Sequence, residues 1–128
     1  MLGKCKVALA MIGSFAFGAV AAQSLNAQAR PPAYVVAEVD VKNREKFETQ
    51  FLPPAVKAVE EAGGSYVIRG GRTVSLQGLP PQSRIVVIKF ESMAKVQAWW
   101  NSPARKAANT IGENYASFRV YAVEGTPQ

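Results

Sequence analysis

The chain has 128 residues, a length that suits one domain, with 15 Lys and Arg against 9 Asp and Glu and a formal charge of +6. It has no histidine and a single cysteine, Cys5. These absences exclude a Ser-His or Cys-His nucleophile, a histidine-ligated haem and an ordinary zinc site.

Met1 to Lys6 carries two lysines and no acid, and Val7 to Ala22 carries no charge at all. Ala27-Gln28-Ala29 follows as a small-x-small triplet, and then Arg30. A basic start, an apolar middle and this ending are the pattern of a secretory signal peptide over residues 1–29, with cleavage expected after Ala29. The alternative is an uncleaved membrane anchor, although the apolar run is shorter than the roughly 20 residues of a spanning helix. Cys5 lies inside this segment, so the mature chain would have neither thiol nor disulfide. Losing Lys4 and Lys6 leaves 13 basic side chains against 9 acidic ones, a charge of +4. The excess is scattered rather than gathered into a stripe, which argues for a solvated basic surface and against a nucleic-acid partner. The expected location is the periplasm or cell envelope, with no membrane association after cleavage.

Polar residues ending in Pro31-Pro32 read as a linker, of which 30–32 would remain, and the domain is expected over 33–125. Ala33 to Val41 (AYVVAEVDV) alternates as a strand, with Val35, Ala37 and Val39 on one face and Tyr34, Val36 and Glu38 on the other. Asn43 suits an N-cap for a helix that buries Phe47 and Phe51. Pro53-Pro54 is expected to interrupt that helix, with a second piece running on to the Gly63-Gly64 stop.

Tyr66-Val67-Ile68 and Thr73-Val74-Ser75-Leu76 are both β-rich, and Gly70-Gly71 between them predicts a two-residue hairpin turn. A phosphate-binding loop would need a helix after the glycines, so that reading is rejected. Arg69 and Arg72 flank the turn, either as solvated side chains or as an anion clip. Strict alternation places Arg69 with Ser65 and Val67, opposite Tyr66 and Ile68.

Arg84 to Phe90 (RIVVIKF) is the most strand-like run and is expected to be central. Ser92 caps a helix with a Met93, Val96, Trp99 and Trp100 stripe, Ser102 caps another with Pro103 in its first turn, and Ser117 to Glu124 alternates as the last strand. The order is the split β-α-β pattern of a ferredoxin-like α+β fold: an antiparallel sheet with helices on one face. The other face is left bare and most simply packs on a second copy, so a homodimer is expected.

The segments AYVVAEVDV, GGSYVIRGGR, RIVVIKFES and AWWNSPARKAA together resemble the uncharacterised domain-of-unknown-function family numbered 1330, from about Tyr34 to Gly125. The resemblance implies a ferredoxin-like protomer whose sheet packs on its twin as a dimeric α/β barrel. It also implies an aromatic two residues after Ser102-Pro103, where this chain has Arg105. It implies no established activity.

The candidate ligand-binding residues are Arg69, Tyr34, Glu38, Lys89, Trp100 and Arg119. Glu38 is expected between Lys89 and Arg119, as a structural charge network at the dimer seam or as an acid-base group. Trp99 and Trp100 are expected to divide between the core and a groove. No cofactor or metal is expected. Two classes of function stay open: a binder of a small organic molecule, anionic or not, between sheet and helices, with or without cofactor-free catalysis, and a non-catalytic structural or interaction dimer of the envelope.

Overall fold

Strand β1 (Ala33–Val41) has two unlike faces: Ala33, Val35 and Val39 are buried, and Tyr34, Val36 and Glu38 turn the other way. The computed structural model describes residues 30–81 and 84–127, so the expected signal segment and its cleavage point lie outside the described residues. Pro31–Thr126 form one compact unit.

Asn43 caps the next helix, its Oδ1 accepting from the Lys46 N–H at 3.1 Å. Helix α1 (Arg44–Lys46) runs into a π-helical stretch, Phe47–Phe51, and without a break into α2 (Leu52–Glu61). The proline pair therefore does not interrupt the helix as expected. Prolines lack the N–H that an α-helix needs, and the chain widens just before them, with the Leu52 N–H donating to the Phe47 carbonyl. Phe47 and Phe51 are both buried, their rings stacked at 5.1 Å.

Strand β2 (Ser65–Arg69) pairs antiparallel with β3 (Arg84–Phe90). The expected hairpin about Gly70-Gly71 is thus corrected: Thr73 to Leu76 forms no strand, and the connection runs over 70–83. Gly70, at φ +71, turns the chain out of the sheet, while Gly71 has no positive φ. Leu76 is left 93% exposed. The place beside β2 goes to β3, whose longer apolar run buries Ile88 and Phe90.

Ser92 and Ser102 cap helices α3 (Met93–Trp100) and α4 (Pro103–Gly112), as expected, and β4 (Ala116–Glu124) closes the fold. The sheet order is β2-β3-β1-β4, and every pairing is antiparallel. Helices cover one face, where two apolar clusters form. One gathers Val35, Val59, Phe90 and Trp99; the other gathers Val39, Phe47, Phe51 and Ala108. The second face carries Val36, Ile85, Val87 and Tyr121, the last 47% exposed. This is the ferredoxin-like α+β arrangement.

Candidate functional site

The two apolar clusters do not close on each other completely. A cavity of about 50 Å³ remains between sheet and helices, lined by members of both. Its polar lining is assembled by three local features of the chain.

The first is a β-bulge in β2. Tyr66 pairs with Ile88, but Ile68 pairs with Val87 and Arg69 with Val86, so Val67 is an extra residue. The bulge reverses the alternation after it. Arg69 therefore lies on the same face as Tyr66, contrary to the strict alternation expected of this strand. Its guanidinium carbon stands 4.7 Å from the Tyr66 ring centre, and both side chains line the cavity.

The second is the first residue of β3. Arg84 shares the helix-facing phase with Val86 and Ile88, and its guanidinium lies 5.6 Å from the Phe47 ring centre. Gly70 makes room for it: a Cβ there would stand 2.7 Å from Arg84 Nη1. The third is Arg105, in the buried stripe of α4 with Ala108 and Gly112. Arg105 is 6% exposed and rests among aromatic faces, at 4.8 Å from Trp99, 5.4 Å from Trp100 and 5.7 Å from Phe51. The π-helical stretch thus supplies one ring beneath each of two arginines: Phe47 for Arg84 and Phe51 for Arg105.

Nothing among the described residues balances these charges. The ion pairs there are Arg44–Glu48, Lys57–Glu61 and Glu38–Arg119, so Arg105 has no carboxylate partner. The Nε atoms of Arg84 and Arg105 and the Nε1 of Trp99 are buried without a hydrogen-bond acceptor. Burial pulls the Arg105 pKa down to about 10, opposed by Tyr66. Burial raises the pKa of Tyr66, against the pull of Arg69, Arg105 and Arg84, so its hydroxyl keeps its proton and can donate. The rest of the lining is hydrocarbon and aromatic; among the described residues no carboxylate, amide, serine or threonine side chain reaches the cavity. Guanidinium and indole groups only donate. A buried guanidinium with no partner is costly, and aromatic faces offset only part of that cost. This arrangement is electropositive and rich in unused donors.

Two grooves adjoin the cavity. One, of about 530 Å³, shares Arg105, Phe118 and Val120 with it and adds Trp100, Asn109 and Glu113. The other, of about 320 Å³, lies along α3 and β4 beside Trp99 and Trp100.

The six residues singled out from sequence fall on two faces. Arg69 lines the cavity, and Trp100, 39% exposed, lines both adjoining grooves. Tyr34, Glu38, Lys89 and Arg119 lie on the uncovered face of the sheet, away from the cavity. Arg119 Nη1 meets Glu38 Oε2 at 3.3 Å. Lys89 is opposite Tyr34, whereas Glu38 is opposite Ile85, so the expected three-membered network is a pair. Four cavity residues were not among the candidates: Tyr66, Arg84, Trp99 and Arg105. A signal for two of them was present. Arg84 and Arg105 each stand in phase with core positions, a strand phase shared with Val86 and a helix stripe shared with Ala108.

The fold and its lining define a ferredoxin-like α+β protein with a donor-lined cavity between sheet and helices. The chain belongs to the family described as Domain of unknown function (DUF1330), which it matches over residues 32–126. No curated protein matches it. Among solved structures, a protein of unknown function from Rhodopseudomonas palustris is 14% identical with a TM-score of 0.60, over 76% of this chain and 84% of the other. A proposed antibiotic biosynthesis monooxygenase from Caulobacter crescentus is 17% identical with a TM-score of 0.56, over 81% of this chain and 98% of the other. A hypothetical Arabidopsis thaliana protein is 21% identical with a TM-score of 0.53, over 78% of this chain and 91% of the other. At these identities the likeness is one of fold. Among the described residues no helix is long and apolar enough to cross a membrane.

Proposed function

We propose that this protein binds a small organic anion in the cavity between sheet and helices. The observation that carries the reading is Arg105, 6% exposed with no carboxylate partner and an unsatisfied Nε. A bound anion would supply the missing counter-charge through a charge-assisted hydrogen bond. A packed, neutral interior would favour a purely structural dimer; an interior with three orphaned donors favours a binder.

The protein acts, in this reading, as an exported homodimer of the periplasm or cell envelope, with the Val36, Val87 and Tyr121 face covered by a second copy. The test is a thermal-shift screen of the mature protein with matched anionic and neutral metabolites. A ligand at 100 times its Kd adds roughly 2.7 kcal/mol of stability. Stabilisation by anions that is lost in Arg105→Met supports the reading; shifts by neutral compounds alone overturn it.

A further inference from the structure

We propose that the ligand is a short carboxylate with no hydrogen-bond donor next to its acid group: an alkanoate or a 2-oxo acid, as against a 2-hydroxy or 2-amino acid. This rests on the anion reading above and deepens it. The polar lining offers donors almost exclusively. Arg69, Arg84, Arg105 and Trp99 have no lone pair to give, and the one side-chain oxygen in the described lining is the Tyr66 hydroxyl. That oxygen lies within electrostatic reach of Arg69, Arg105 and Arg84. The sheet side offers no substitute, because Val35, Ala37 and Val39 belong to a strand paired on both sides, with β3 and with β4.

The guanidinium groups of Arg69, Arg84 and Arg105, which line the cavity, suit a carboxylate, whose two oxygens accept about four hydrogen bonds. A hydroxyl on the neighbouring carbon would bring a donor into a space whose one side-chain acceptor among the described residues is the Tyr66 hydroxyl, and an ammonium would add a fourth cation to three guanidiniums. A 2-oxo group adds only acceptors. The body must be short and apolar: the cavity is about 50 Å³, and its remaining walls are hydrocarbon and aromatic. The groove beside Trp100 shares Arg105, Phe118 and Val120 with it.

The test uses the mature protein and five four-carbon probes: butyrate, 2-oxobutyrate, 2-hydroxybutyrate, 2-aminobutyrate and butyramide. Affinities are read by NMR titration of the Trp99 indole N–H, assigned with Trp100→Phe. Butyrate and 2-oxobutyrate are expected to bind and move that resonance. 2-Hydroxybutyrate should bind at least tenfold more weakly, and 2-aminobutyrate and butyramide should not bind. If the hydroxy or amino acid binds as tightly as butyrate, this inference fails and the anion reading stands. If butyramide matches butyrate, the anion reading itself fails. If no acid moves the resonance, the ligand is not a short carboxylate, and the inference fails.

Discussion

The guanidinium carbon of Arg105 stands 4.8 Å from the centre of the Trp99 ring; both residues line one cavity, and each has a buried donor, Nε and Nε1, without an acceptor. A core built for stability alone would place a hydrocarbon side chain at position 105, in line with Ala108 on the buried side of α4. Replacing buried charge by apolar groups of similar volume is often neutral or stabilising. Arg105→Met is therefore expected to raise the stability of the ligand-free protein by about 1 kcal/mol, or roughly 4–8 °C for a domain of this size. The same change should abolish stabilisation by anions. Calorimetric melting with and without a bound acid checks both halves; a lower melting temperature with binding intact would contradict them.

The charge on Arg105 also sets a pH dependence. Its pKa falls to about 10, below the ordinary arginine range, because burial disfavours the charged form. Anion binding needs the cation, so affinity should be flat near neutrality and fall as pH rises through about 10. For folding the sign is opposite. Between the folded pKa of about 10 and the higher pKa of the unfolded chain, the unfolded chain holds a proton that the folded one has released, so this group's contribution to stability rises with pH there. Titration of binding at pH 8 to 10.5 in wild type and in Arg105→Lys checks the assignment, since a moved midpoint identifies the titrating group.

Much of the fold was legible because its causes are local. The caps Asn43, Ser92 and Ser102 each accept a backbone N–H as their side chains suggest. The alternation of AYVVAEVDV and RIVVIKF matches the faces they present. The partner of β2 was not legible, because two runs compete for one edge and the choice depends on burial elsewhere in the sheet. Arg69 was misphased because one bulge residue, Val67, reverses a strand without leaving a compositional mark. Arg105 could be seen as a departure from the family's aromatic. Its role depends on rings delivered by α3 and the π-helical stretch, which no local pattern brings together.

Gly70 and Gly71 should respond differently to substitution. Gly70 has φ +71, and a Cβ there would press on Arg84 at 2.7 Å. Gly71 has no positive φ, and a Cβ added to it would meet nothing within 4 Å. Gly70→Val is expected to cost more than about 1 kcal/mol and to weaken anion binding through Arg84, while Gly71→Val should stay within about 0.5 kcal/mol. Urea unfolding of the two variants separates them; equal losses would mean that strain and crowding at position 70 are not the cause.

Export has a direct readout. A basic start, an uncharged run and Ala27-Gln28-Ala29 predict a mature N-terminus at Arg30. Intact-mass measurement of protein from the envelope fraction should show a chain beginning there. A protein that keeps Met1 and sediments with membranes would identify the segment as an anchor instead.

The last expectation concerns the uncovered sheet face. Glu38 and Arg119 pair there at 3.3 Å beside Val36 and Tyr121, with the Glu38 side chain only 17% exposed. If a second copy covers this face, a two-fold axis brings the pair to the seam twice, and each defect counts twice. Arg119→Glu sets two carboxylates against each other and should raise the dimer Kd at least tenfold, about 1.4 kcal/mol. Adding Glu38→Arg restores opposite charges with their positions exchanged and should recover most of the loss. Sedimentation equilibrium at micromolar protein reads both. A wild-type monomer would remove the dimer altogether. A dimer indifferent to Arg119→Glu would place its seam elsewhere, on a surface that leaves Tyr121 in solvent.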